Sequence, residues 1–347
     1  MTKHPLLALT LGDPTGIGPE VIVGAWPHRE VHACCRPMAV GHPEILRRAT
    51  ALLKLNVIVR EIADPTEADP SPTVIPCLRT GSDDVLFAPP ASVDARGGQA
   101  AYDALICAAH LALDRRVDGI VTAPLHKAAL WEAGHRYPGH TELLAELCGV
   151  DDFAMMLYLG HDEHIRSPAG LGVVHVTLHM ALADVWKHMT TQAIVEKIRL
   201  ADGVMRSFDL AEPRIAVCSL NPHGGESGLF GDEETRVIAP AVKQARTAGL
   251  NAVGPLPTDT LMVRAREGEF DAVVAMYHDQ GHIALKLLGM HRAVNVTLGL
   301  PIVRTSVAHG TAFDMAWQGR AEVSSMIEAV KVAAALSRRQ IAKSQAK

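Results

Sequence analysis

Leu6-Leu7-Ala8-Leu9-Thr10-Leu11-Gly12-Asp13-Pro14-Thr15-Gly16-Ile17-Gly18-Pro19-Glu20 decides the fold class. The first six residues form a short apolar run of strand length, bounded by Gly12-Asp13-Pro14. Pro19 suits the first turn of a helix, where its missing N–H costs nothing, and Glu20 with the apolar Val21–Trp26 continues that helix. Strand, glycine turn and helix together make one βα unit. Glycines ahead of a helix start also resemble a phosphate-cradling loop. The match to G-x-G-x-x-G is poor and a Walker sequence is absent, so a tight structural turn is an equal alternative.

The same alternation extends along the chain. Strands are expected at 38–40, 57–59, 74–75, 118–121, 153–159, 172–178, 215–220, 272–277 and 294–297. Helices are expected at 43–53, 97–116, 127–133, 141–148, 182–208, 233–248, near Thr260, and at 322–342. Asp64 to Pro72, with three prolines, reads as a loop. Alternating strands and helices point to α/β layers on a largely parallel sheet. At about 150 residues per domain, 347 residues suggest two domains. The expected division is residues 1–138 with 290–347 in a first lobe that holds both termini, and 139–289 in a second.

Composition narrows the function. The net charge of −5 lacks the basic footprint of a non-specific nucleic-acid binder. No apolar run approaches the ~20 residues needed to span a bilayer. The run at Leu6–Leu11 lacks the features of a signal peptide, so a cytoplasmic protein is expected. Six cysteines show no C-x-x-C pair and are read as reduced thiols.

Histidine, with 18 copies, is the anomaly. Val173-Val174-His175-Val176-Thr177-Leu178 runs into His179, Ile215–Leu220 continues through Asn221-Pro222 to His223, and Ala272–Tyr277 ends at His278-Asp279-Gln280-Gly281. Each is a buried-strand pattern that delivers a histidine into a polar, glycine-bearing loop. The carboxyl ends of parallel strands line the ligand crevice of open α/β sheets. Three imidazoles meeting there could hold a divalent cation. A strand-end histidine is also commonly a hydrogen-bonded structural group, and mid-strand His175 is read as a core or supporting residue. Pro138-Gly139-His140-Thr141-Glu142 places Thr141 at a helix start, where it could cap or bind an anion. Lys286, Asn295 and Arg304 flank the third histidine segment and suit a phosphorylated or carboxylated ligand.

These residues resemble the 4-hydroxythreonine-4-phosphate dehydrogenase family. The similarity lies in Gly12–Glu20, Gly139–Glu142, Leu220–His223, Gly254–Thr260, Met276–Gly281, and Asn295–Pro301 through Arg304-Thr305-Ser306 to His309-Gly310-Thr311-Ala312. It covers nearly the whole chain, in order. The resemblance implies an α/β, isocitrate/isopropylmalate dehydrogenase-like fold with two α/β lobes around a central cleft. It implies a homodimer whose site is shared between subunits, with the second lobe forming the dimer interface. It makes His179, His223 and His278 the ligands of one divalent metal, with zinc, magnesium and cobalt left open. It places substrate contacts on His140, Thr141, Lys286, Asn295 and Arg304, and catalytic roles on Lys286 and Asp259. It places NAD or NADP on His309, Gly310, Thr311 and Asp314, which accounts for the missing Rossmann fingerprint.

The implied reaction is oxidation of 4-hydroxy-L-threonine 4-phosphate, a small phosphorylated amino acid, to a β-keto acid. That acid decarboxylates to 3-amino-2-oxopropyl phosphate on the route to vitamin B6. Relatives that look alike act on phosphorylated threonate or erythronate, or on aromatic cis-dihydrodiols. A more distant alternative is a three-histidine metal hydrolase with Asp279 or Glu142 as base; it leaves His309–Asp314 unexplained.

Overall fold

The computed structural model of the protein describes residues 4–345. They fall into two compact units, one running to Asp151 and resuming at Leu300, the other spanning Asp152–Gly299. The first unit begins with β1 (Leu6–Thr10), α1 (Gly18–Ala25), α2 (Arg29–Cys34), β2 (Arg36–Gly41), α3 (Pro43–Leu52), β3 (Ile58–Ile62) and β4 (Val74–Arg79). It continues with α4 (Ala95–Leu113), β5 (Gly119–Thr122), α5 (Lys127–Glu132) and α6 (His140–Cys148). The second unit holds β6 (Ala154–Leu159), β7 (Leu171–His175), α7 (Val185–His188), α8 (Thr191–Arg206), β8 (Ile215–Cys218) and α9 (Ala239–Thr247). It is completed by β9 (Ala252–Leu256), α10 (Thr258–Arg266), β10 (Ala272–Ala275), α11 (His278–Gly289) and β11 (Val294–Leu298). The chain returns to the first unit with β12 (Arg304–Val307) and α12 (Ser324–Gln345).

Both crossings come later in the chain than the expected 138 and 289. Leu143 and Leu144 of α6 enter the core of the first unit with Ala108 and Ile120, which keeps that helix there. β11 pairs antiparallel with β6, from Val294↔Tyr158 to Leu298↔Ala154, and so belongs to the second unit.

In the first unit the strand order is β3-β4-β2-β1-β5-β12, parallel throughout. Such strands are covered on both faces and therefore read as continuous apolar runs. The Asp94 side chain caps α4 by accepting from the Arg96 N–H, and the helix buries Ala101, Ala104, Leu105, Ala108 and Ala109. Small residues let α4 lie close to its neighbours. A Cβ on Gly98 would stand 2.0 Å from the Ala129 carbonyl oxygen of α5.

In the second unit the order is β11-β6-β7-β10-β8-β9. β6 runs antiparallel to both of its neighbours, and the remaining pairs are parallel. The expected helix over 182–208 is broken. A 3-10 turn at Leu182–Asp184 leads into α7, and Thr190 then caps α8 by accepting from the Ala193 N–H at 3.1 Å. The pattern missed α2, β9, α11 and β12. β12 is Arg-Thr-Ser-Val, fully buried but without an apolar run. α11 opens His-Asp-Gln-Gly, which reads as a loop; Gly281 is there because a Cβ would meet His175 Nε2 at 2.5 Å. No helix among the described residues is long and apolar enough to cross a membrane. All six cysteines are free.

Candidate active site

In the first unit β1, β5 and β12 are neighbours, so the loops at their carboxyl ends meet. The Asp13 N–H donates to the Pro124 carbonyl at 2.8 Å, and the Ile17 N–H to the Thr311 carbonyl at 3.0 Å. Gly12, at φ 65°, leaves no room for a side chain, since a Cβ would sit 2.2 Å from the Pro124 oxygen. A Cβ on Gly16 would lie 2.9 Å from Thr311. These glycines serve close approach between protein segments. Of the two alternatives, the structural turn describes Gly12–Gly18. Asp13 is fully buried, and its Oδ1 accepts from the Thr15 N–H at 2.9 Å and the Thr15 hydroxyl at 2.8 Å. Burial raises its carboxyl above the usual range, a rise the Thr15 hydrogen bonds only partly offset.

Three expected substrate residues lie in this unit, on β12 and α6. Arg304, 4% exposed, donates to the Thr122 hydroxyl at 2.7 Å. Burial pushes its guanidinium down to about 10, a shift the negative charge of Glu142 opposes. His140 and Thr141 are the first two residues of α6, whose N-cap is Gly139 and has no side-chain cap. Thr141 therefore lies past the cap position, within the first helical turn whose N–H groups have no intrahelical acceptor. Burial, and then the charge of Arg304, hold the His140 imidazole well below its usual range, so it is neutral. A neutral donor-acceptor ring, a buried guanidinium and a bare helix N-terminus can together receive an anion.

His309, Gly310, Thr311 and Asp314 follow β12. Thr311 is buried, whereas Gly310 and Asp314 are exposed. Phe313 stacks on His126 with ring centroids 4.7 Å apart.

In the second unit β7, β10 and β8 are adjacent and parallel, and His179, His278 and His223 follow their carboxyl ends. His278 is the first residue of α11 rather than part of a loop. Its Nδ1 pairs with Asp279 Oδ1 at 2.7 Å, which leaves Nε2 as the free ring nitrogen. The His179 and His278 rings are 5.7 Å apart. His223 is exposed and begins a run of five left-handed residues, His223 to Ser227. No group of three metal-ligating side chains is assembled among the described residues of one chain. The donor chemistry suits a divalent cation, but a single chain brings together two of the three rings.

Several residues that support this site were not singled out from the sequence. His282, one turn after His278, stacks on it with centroids 3.9 Å apart and shares a 3.0 Å hydrogen bond with buried His175. Burial, then the charge of His278, pushes His282 down to about 4. Gln280 donates to the Ser219 carbonyl at 2.8 Å and accepts from the Met276 N–H at 2.7 Å, tying the ends of β8 and β10 together. Buried Glu234 accepts from the Leu220 and Asn221 N–H groups at 2.8 and 2.7 Å, fixing the approach to His223. The i, i+4 spacing of His278 and His282 was a usable signal; Glu234 had none. Lys286 and Asn295 are partly buried on α11 and β11, and Asp259 is exposed in the first turn of α10.

Residues 33–333 match the family model described as pyridoxal phosphate biosynthetic protein PdxA. The chain belongs to the PdxA family. It is 48% identical over 328 residues to a 4-hydroxythreonine-4-phosphate dehydrogenase of Beijerinckia indica, covering 94% of this chain and 93% of that relative. It is also 45% identical over 337 residues to a D-threonate 4-phosphate dehydrogenase of Salmonella typhimurium, covering 95% of this chain and 98% of that one. A crystal structure of 4-hydroxythreonine-4-phosphate dehydrogenase from Klebsiella pneumoniae superposes with a TM-score of 0.85 at 42% identity, over 96% of this chain and 99% of that one. The α/β fold expected from the resemblance is thus that of a solved PdxA-like dehydrogenase.

Proposed function

We propose that the protein is a metal-dependent NAD(P) dehydrogenase that oxidises 4-hydroxy-L-threonine 4-phosphate in the cytoplasm, on the route to vitamin B6. The observation that carries this reading is buried Arg304 beside His140 at the uncapped start of α6, a candidate anion site in a chain of the PdxA family. Arg304, His140 and Thr141 are assigned to the anionic group of the substrate. NAD or NADP would be held by His309, Gly310, Thr311 and Asp314.

Oxidation at C3 removes the hydroxyl proton and the C3 hydrogen with its electron pair; NAD or NADP, when bound, would supply the hydride acceptor. The resulting β-keto acid loses carbon dioxide, and the electron pair of the broken C1–C2 bond takes a proton at C2 to give 3-amino-2-oxopropyl phosphate. Lys286 and Asp259 are assigned to these proton movements, with Lys286 also able to pair with the carboxylate. His179, His223 and His278 would hold a divalent metal, zinc, magnesium or cobalt, which supplies Lewis-acid polarisation when bound. Asp279 keeps the His278 ring in the tautomer that presents Nε2.

The metal site is proposed to be completed in a homodimer. Large apolar side chains follow each metal histidine and stand in solvent in one chain, among them Trp186, Leu229, Ile283 and, 83% exposed, Leu287.

A second reading, oxidation of D-threonate 4-phosphate, is favoured by the Salmonella relative at comparable identity. The two substrates differ at C2, amine against hydroxyl. NADH or NADPH formation measured with both compounds side by side tests the proposal. Turnover of 4-hydroxythreonine 4-phosphate, with release of carbon dioxide, is expected. Turnover of the threonate alone would replace the first reading with the second, and turnover of neither would overturn both.

A further inference from the structure

We infer that Glu20 is a positioning residue for cofactor binding, acting through the loop of residues 308–320. This deepens the proposed function and rests on its assignment of NAD(P) to His309–Asp314. Glu20 lies in the first turn of α1, and its carboxylate is fully buried. Oε2 accepts from the Trp317 N–H at 2.5 Å and Oε1 from the Gly319 N–H at 2.8 Å, so both oxygens bind backbone of the same turn. A buried carboxylate is costly unless its hydrogen bonds are made, and two charge-assisted bonds to one turn make it a strong clamp.

Two further ties run in parallel. Trp317 Nε1 donates to the Pro14 carbonyl at 2.9 Å, and the Ile17 N–H donates to the Thr311 carbonyl at 3.0 Å. The clamped loop is strained. Ala312 and Trp317, neither of them glycine, sit at φ 45° and 58°. Non-glycine residues hold such conformations only where their surroundings enforce them. The Gly12–Glu20 segment thus fixes the shape of the segment that carries Thr311 and Asp314. Glutamine at position 20 keeps the volume but turns one acceptor into an NH2 group facing a backbone N–H. Aspartate keeps the charge on a shorter arm.

The test measures NAD and NADP affinity by direct titration, together with KM and kcat, for the full-length wild type and for Glu20→Gln, Glu20→Asp and Trp317→Phe. Glu20→Gln is expected to weaken the preferred dinucleotide and raise its KM about tenfold, with a smaller change in kcat and little change in the KM for the phosphorylated substrate. Glu20→Asp should recover part of that loss. Trp317→Phe, which removes the bond to Pro14 together with part of the ring's packing and leaves both Glu20 bonds, should show the same pattern more weakly and serves if Glu20→Gln does not fold. Unchanged dinucleotide affinity in folded Glu20→Gln, or in Trp317→Phe where the former does not fold, overturns the clamp, as does an equal loss for both substrates. Asp314→Ala separates the two levels. If it leaves dinucleotide affinity intact, the assignment of the loop itself fails; if it weakens binding while Glu20→Gln does not, only the clamp fails.

Discussion

The candidate anion site of the first unit is built around Arg304, the first residue of β12, whose guanidinium reaches Thr122 at the carboxyl end of β5, while the candidate histidine site of the second follows the carboxyl ends of β7, β10 and β8; one chain gathers the residues of the former but not of the latter. Arg304 is buried, bonded to Thr122 and set beside His140 and the bare end of α6. His179 and His223 are exposed, and His223 lies on left-handed backbone with no pair of rings around it. The difference follows from charge. A guanidinium that must meet a phosphate away from water has to be desolvated in advance, and only a packed surrounding can hold it there. Exposed imidazoles lose little by standing in water, because a cation would supply the ordering energy on binding.

The comparison breaks most sharply at His278. His278→Ala should lower metal affinity and turnover on the order of 100-fold or more, while the fold is kept, since the ring is partly exposed and its packing is mainly the stack on His282. Metal content measured on the purified variant, beside its rate, decides the matter; wild-type values for both would remove the histidine site.

Arg304→Lys probes the finished side. A lysine has the charge but not the planar fork, and when buried it drifts toward its neutral form. KM for the phosphorylated substrate should rise about tenfold, ~1.4 kcal/mol, with kcat less affected. Initial rates over a range of substrate concentrations check this. An unchanged KM would mean that no anion sits on Arg304.

The packing beneath the two sites gives a smaller, opposite pair of effects. Gly98→Ala drives a methyl into the Ala129 carbonyl of α5 and should cost about 1–3 kcal/mol. Gly203→Ala, in α8 with open space at its Cβ, should stabilise by roughly 0.5–1 kcal/mol. Urea unfolding of both variants is the measurement, and equal signs would contradict the contrast.

The strand-to-helix rhythm was legible because parallel strands covered on both faces must be apolar throughout, as in Leu6–Thr10 and Ala272–Ala275. β12 was not legible, because it buries the polar Arg304, Thr305 and Ser306, the first two with hydrogen-bonded side chains, rather than an apolar run. The strand-end histidines stood out by their position after such runs. Their supports did not, since Glu20, Glu234 and Gln280 act over separations of 297, 13 and 61 residues that no local pattern records. α11 was hidden by Gly281, whose reason is a neighbour on β7 and not a turn.

His140 offers the finest test of how finished the anion site is. Burial, then the charge of Arg304, depresses its pKa in the folded chain. As pH falls through about 6.5, an imidazole in the unfolded chain takes up a proton that the folded one refuses. The contribution to stability is therefore fully present above that pH and is lost as pH falls toward the folded value, at less than about 1.4 kcal/mol per pH unit. His140→Asn has no proton to take up. Between pH 7.5 and 5.5 the wild type should lose more of its urea midpoint than the variant does, and the His140 ring resonance should stay that of a neutral imidazole. Equal losses in the two proteins, or a ring that titrates near 6.5, would mean that the pocket around Arg304 is open to water and no more prepared than the histidine side.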